Sequence, residues 1–165
     1  MTLERRQVEA DDAPFLRALY ESTRPELALL PPPERDRLLD LQCRAQAADW
    51  AARFSGAGHE LVLLGGDPVG RLWVASTPLE CRIVDLTLEP EHRRAGLGSR
   101  LVAEVLKSAD DAGLPTRLSV LRGNDPALAF WRAHGFVETT SDAVYLGLER
   151  PAGRGAGAAH AVLVP

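Results

Sequence analysis

The sequence predicts an α/β (α+β) domain in which helices pack on one central sheet, and three observations predict it. Runs of strand period and helix period alternate in the order βα, α, ββ, βαβαββ. Gly65-Gly66-Asp67 separates two apolar runs and signals a hairpin turn. Leu97, Leu101, Val102, Val105, Leu106 and Ala109 form the stripe of an amphipathic helix directly after a strand and a glycine-containing loop. No internal repeat is present, and 165 residues fit one domain over 1–150 with a Gly/Ala-rich tail over 151–165.

The elements follow in order. Leu3–Val8 alternates as a first strand. Asp11 or Asp12 can cap a first helix with Pro14 in its first turn, and Phe15, Leu16, Leu19 and Tyr20 supply its apolar face. Pro31-Pro32-Pro33 is expected to stay outside any helix. A second helix is predicted over 34–54, with Leu38, Leu41, Ala45 and Ala48 on one side and Leu39, Cys43, Trp50 and Phe54 widening the apolar surface. Ser55-Gly56-Ala57-Gly58 breaks it. Strands follow at 60–64, 69–75 and 82–88, then the long amphipathic helix ending at Gly113 and Pro115. A strand at 117–121, a short helix at 126–133 and strands from Val137 and at 144–148 complete the domain. The tail from Pro151 to Ala161 is expected to be mobile, and Ala161-Val162-Leu163-Val164 could add an edge strand.

Composition narrows the function. Hydrophobic residues make up 45% and charged residues 25%, so a core can form without metal or disulfide support. No apolar run approaches the ~20 residues of a membrane span. Cys43 and Cys81 make neither a metal quartet nor a disulfide framework, and the first residues lack the apolar run of a signal peptide. A cytoplasmic protein with free thiols and no metal is expected. The net charge of −4 argues against a nucleic-acid face, although 18 of the 19 basic residues are Arg.

Placement matters more than that count. In Asp85-Leu86-Thr87-Leu88-Glu89-Pro90-Glu91-His92-Arg93-Arg94-Ala95-Gly96-Leu97-Gly98-Ser99, a strand leads through a turn and a glycine loop into the strongest helix. Glycine lets backbone approach a ligand closely, and amides at a helix N-terminus favour anions. Arg93 and Arg94 add two permanent cations. The expectation is a phosphate or pyrophosphate seat. A P-loop is excluded because no Gly-Lys-Ser/Thr follows, and the dinucleotide fingerprint fails because Leu101 stands at its third glycine. Gly96-Leu97-Gly98 alone is equally compatible with a tight turn that holds no ligand.

Asp85-Leu86-Thr87-Leu88-x-Pro90-x-x-Arg93-x-x-Gly96-x-Gly98 resembles the central motif of the GNAT superfamily of acyl-CoA N-acyltransferases. Asn124-Asp125-Pro126-Ala127, running on through Phe130 and Trp131 to Gly135-Phe136, resembles that family's Asn-x-x-Ala helix ending in Gly-Phe. The resemblance covers roughly residues 2–149 and is strongest over 85–136. It implies a mixed, mostly antiparallel sheet with a splayed strand pair and about four helices. It implies acetyl-CoA as co-substrate and a small-molecule or peptide amine as acceptor, with a homodimer compatible. By the same resemblance, Arg93, Arg94, Ala95, Gly96, Leu97, Gly98 and Ser99 would hold the coenzyme A pyrophosphate through main-chain amides. The backbone of Leu86, Thr87 and Leu88 would bind pantetheine and polarise the thioester oxygen. Asn124, Phe130 and Trp131 would contact the coenzyme.

The chain departs from the family at two positions. Trp131 stands where a proton-donating Tyr is usual, and indole N–H is a donor that does not ionise usefully; the other reading of Trp131 is a packing or core aromatic. Ser119 stands where some relatives place a glutamate base. A lysine-like amine of pKa ~10.4 costs roughly 4.6 kcal/mol to hold neutral at pH 7. Asp85 is the first candidate to meet that cost and Tyr145 the second, with His92 and His134 behind them. Acceptor specificity is expected from Arg24, Arg35, Gln42 and Gln46 around the three prolines, where a solvated helix face is the competing reading. A non-catalytic acyl-CoA-binding or regulatory module is the rival to an N-acetyltransferase.

Overall fold

The structure is a computed structural model that describes residues 2–153. Its strands are β1 (Leu3–Gln7), β2 (Gly58–Leu64), β3 (Asp67–Ser76), β4 (Cys81–Leu88), β5 (Thr116–Leu121), β6 (Val137–Ser141) and β7 (Tyr145–Arg150). The helices are α1 (Ala13–Glu21), α2 (Pro32–Arg53), α3 (Leu97–Asp111) and α4 (Asp125–Ala133). The seven strands run in the order β1-β2-β3-β4-β5-β7-β6. The β1/β2, β2/β3, β5/β7 and β6/β7 pairs are antiparallel. The β4/β5 pair is parallel and has register partners only at Cys81↔Thr116 and Arg82↔Arg117. This is the mixed, mostly antiparallel sheet with four helices that the resemblance implies. No helix among the described residues is long and apolar enough to cross a membrane.

The chain divides into two compact units. One takes the chain up to Ala75 together with Val84–Gly98, the other Ser76–Ile83 and the chain from Ser99 on. In the first unit, Leu61, Val62, Val69, Leu72 and Trp73 of the β2–β3 hairpin are buried. Tyr20, Leu27 and Leu39 form a second buried cluster, and Leu30, Leu38 and Cys43 pack against that cluster. In the second, Leu118 and Val120 of β5 and Leu146 and Leu148 of β7 point to the buried face. Arg150 holds Asp110 with two bonds of 2.8 and 3.0 Å, and the Gly153 amide donates to the same carboxylate. The start of the expected mobile tail is thus tied down as far as Gly153. The edge strand expected at Ala161-Val162-Leu163-Val164 lies outside the described residues.

Two local expectations are corrected. Pro32 and Pro33 lie inside α2, in its first turn, with Pro31 at the N-cap. The first amides of a helix have no intrahelical acceptor, so proline there sacrifices no bond and its φ suits the helix. Asp12 does stand at the N-cap of α1, yet its carboxylate turns back. It accepts the Glu9 amide at 2.7 Å and pairs with both terminal nitrogens of Arg6 at 2.7 Å.

Candidate functional site

Between β4 and α3 the chain changes direction within eight residues. Pro90–His92 makes one 3-10 turn, started by the Glu89 amide donating to the Val69 carbonyl at 2.9 Å. Arg94 then adopts φ +58°, the one non-glycine positive φ among the described residues, and Gly96 follows at φ +80°. Left-handed residues in such a loop rotate successive N–H groups toward one concave side, the geometry of an anion nest. Leu97 opens α3 immediately afterwards, so the first helical amides and the positive end of the helix dipole face the same opening. A Cβ built on Gly96 would meet nothing within 4 Å. Glycine is required there by φ, and the space above its backbone is open to a phosphate-sized group.

Arg93 does something other than expected. Its Nε donates to the Leu88 carbonyl at 2.8 Å and a terminal nitrogen donates to Ser22 Oγ at 3.1 Å. The guanidinium braces the loop against the end of β4 and the end of α1 instead of standing beside the amides as a spare cation. Arg94 keeps an exposed side chain. Glu89, Glu91 and His92 sit in the same turn with ligand-type atoms within 4.8 Å of one another.

On β4, alternation places Asp85 and Thr87 on one face. Thr87 Oγ1 donates to Asp85 Oδ2 at 3.0 Å, so it serves this carboxylate and does not merely pack against a helix. Arg71 Nε donates to the same oxygen at 2.7 Å. Arg71 is only 6% exposed. Its other end donates to Gln46 Oε1 at 3.0 Å and its guanidinium carbon lies 5.2 Å from the centroid of the Trp50 ring. Trp50 meets Trp73 edge-on, and His59 stacks on Trp73 with centroids 3.9 Å apart. Burial, and then the nearby Arg71 charge, push the His59 pKa down to about 4. Arg71 and His59 were not singled out by sequence reasoning. The available signal was a lone charge within the apolar run Val69–Ala75.

The four residues expected to line an acceptor pocket all have internal partners. Arg24 lies over the Tyr20 ring at 4.8 Å. Arg35 Nε stands 3.6 Å from Glu21. Gln42 accepts from the Tyr20 hydroxyl at 3.4 Å, and Gln46 accepts from Arg71. Arg35 and Gln42 tie α2 to α1, and Gln46 ties it to β3. Gln46 thereby joins Asp85 and Thr87 in one network, while Arg24 and Arg35 stay outside it.

In the second unit, Asn124 caps α4, its Oδ1 accepting the Ala127 amide at 3.3 Å. Trp131 is buried and packs edge-on against Phe130 and Phe136, with centroids 5.0 and 5.4 Å away. It is a core aromatic of this unit. His134 Nδ1 donates to the Phe130 carbonyl at 2.8 Å and so closes the helix end. Ser99 and Ser119 are exposed, and Tyr145 is half-exposed.

A family model described as the acetyltransferase (GNAT) family matches residues 15–136. Among solved structures, the chain is similar to the PaiA N-acetyltransferase of Thermoplasma acidophilum in complex with coenzyme A. That likeness has a TM-score of 0.70 at 18% identity and covers 92% of this chain and 99% of that one. An acetyltransferase from Thermus thermophilus gives 0.67 at 23% identity, over 92% and 97% of the two chains. The ribosomal-protein-S18-alanine N-acetyltransferase of Escherichia coli gives 0.67 at 14% identity, over 96% and 99%. At these identities the solved structures show the shared fold. Among curated proteins, none matches.

Proposed function

Because the chain belongs to the GNAT acetyltransferase family, we propose that it moves an acetyl group from acetyl-CoA to a primary amine by direct attack in a ternary complex. The acceptor is a small molecule or a peptide. The carrying observation is the nest from Arg94 to Gly98 at the start of α3, with φ +58° at Arg94 and φ +80° at Gly96. Its amides would hold the pyrophosphate of acetyl-CoA, which supplies the activated acetyl thioester. Arg93 contributes by fixing the loop to Leu88 and Ser22, so the amides are in place before the ligand arrives. The backbone N–H of Leu86 or Leu88 would polarise the thioester oxygen, an interaction that strengthens as charge develops.

Asp85 would orient the amine or take its proton. Its Oδ2 is held by Arg71, so Oδ1, 3.2 Å from the Thr87 hydroxyl, is the working atom. Tyr145 remains the second candidate. The thiols Cys43 and Cys81 are free, which fits a cytoplasmic enzyme.

Titration calorimetry with acetyl-CoA and CoA tests the reading, with binding expected below millimolar ligand. Gly96→Val is expected to abolish that binding while the domain stays folded, because a β-branched residue does not tolerate positive φ and the nest must rearrange. Absence of any binding at millimolar ligand overturns the proposal. A second reading is favoured by Trp131, a buried core aromatic where a proton-donating Tyr is usual: a module that binds acyl-CoA without turnover. Thiol release across a panel of amines separates the two.

A further inference from the structure

The exposed face of the second unit carries a polar depression of about 380 Å³, the size of a small-molecule site. The register of β5 and β7 explains it. Three cross-strand pairs share this face: Arg117↔Glu149, Ser119↔Gly147 and Leu121↔Tyr145. The middle pair joins two of the smallest side chains, so the sheet surface sinks there. Thr140 of β6 pairs with Gly147 and leans over it, and a side chain at Gly147 would collide with its hydroxyl.

The depression and the sheet face beside it differ in chemistry. One is charged. Arg117 donates to Glu149 and to Glu80, each at 2.6 Å, and Arg82 donates through Nε to Glu80 at 2.8 Å. A guanidinium has five N–H donors, so both arginines keep outer donors after these bonds, in the planar fork that suits a carboxylate. Glu149 offers an acceptor beside them, and Ser119 and Thr140 add hydroxyls. Past the Ser119↔Gly147 pair the same sheet face turns apolar, with Leu121 and Tyr145 49% and 48% exposed just outside the depression. The charged part is balanced, with two guanidinium groups against two carboxylates, so a simple anion gains little and a group carrying both charges gains most.

We infer that this depression binds a small zwitterion of the amino-acid class. Its carboxylate meets Arg82 and Arg117, its ammonium meets Glu149 and the hydroxyls, and its apolar side chain lies toward Leu121 and Tyr145. The depression lies wholly within the second unit, so the inference concerns binding there and stands independently of the transferase reading.

The test is calorimetry of the whole chain, with and without CoA, against leucine, leucine amide and isoamylamine, which differ only at the carboxylate. Leucine is expected to bind at least tenfold more tightly than the other two. Arg82→Gln is expected to erase that preference, and Thr140→Val to weaken leucine several-fold, while circular dichroism shows both variants folded. Arg82 is the better target because removing Arg117 strands two carboxylates. Equal binding of the three ligands, no binding of any, or a preference that survives Arg82→Gln overturns the inference. CoA binding with no leucine binding defeats this inference alone, and leucine binding without CoA binding defeats the transferase reading alone.

Discussion

In α3 the whole apolar stripe, Leu97, Leu101, Val102, Val105, Leu106 and Ala109, is buried; in α2, with 22 residues against 15, Leu39 alone is. The shorter helix is attached by packing. The longer one is attached through polar side chains: Arg17 to Asp36 and Asp40, Tyr20 to Gln42, and Arg71 to Gln46 and Trp50. A packing helix announces its buried face through its apolar period. A helix held by polar contacts does not, because its partners lie far away in sequence and the residues that reach them include half-buried glutamines.

The largest effect expected from this difference is at the buried end of the α2 attachment. Asp85→Asn leaves the Arg71 guanidinium, 6% exposed, without its counter-charge. Breaking a buried pair from one side costs about 3–5 kcal/mol. Urea denaturation measures it. A loss under about 1 kcal/mol would mean that the apolar contacts of α2 suffice and that the polar attachment is incidental.

The next effect contrasts leucines on the two helices. Leu101→Ala on α3 empties a site with no exposure and is expected to cost about 2–5 kcal/mol. Leu41→Ala on α2 truncates a side chain 62% exposed and is expected to cost less than about 0.5 kcal/mol. Similar losses would erase the distinction between the helices.

These cases also define what the sequence could reveal. The element order, the α3 stripe and the glycine loop were legible because each depends on neighbours three or four residues away. The face of α2 was not. Leu41, Ala45 and Ala48 read as its apolar side and are exposed, while Gln46 turns inward because Arg71 needs an acceptor. In the loop, Gly96 was legible as a φ requirement. The positive φ of Arg94 and the inward turn of Arg93 were not, since Ser22 is supplied by the end of a helix 71 residues away. Asn124 read as a coenzyme contact, and locally it is a helix cap.

The aromatic cluster beside Arg71 gives a smaller, pH-dependent signal. The folded-state pKa of His59 is about 4, below its value of about 6.5 in an unfolded chain. The unfolded chain therefore binds the proton first, and stability is expected to fall as pH drops from about 6.5 to about 4, then to level off for this group. Asp12, held at about 2 by Arg6 and the Glu9 amide, takes over between about 4 and 2. His59→Phe keeps a ring against Trp73 and removes the proton. Its melting temperature should stay nearly flat between pH 6.5 and 4. An unchanged slope in this variant would move the effect to another group.

The smallest effect tests the exposed end of the same α2 attachment. Arg17 reaches Asp36 at 2.9 Å and Asp40 at 2.5 Å, with Glu21 at 3.6 Å. Its carboxylate partners are about half-exposed, so water and salt screen each pair. Arg17→Met keeps most of the apolar stem and is expected to cost under about 1 kcal/mol at low salt, shrinking further in 1 M sodium chloride. Asp85→Asn should show no such salt dependence, because its pair is shielded by α2. If both losses shrink with salt in parallel, the two ends of the attachment are equally wet, and α2 is held by its few apolar contacts after all.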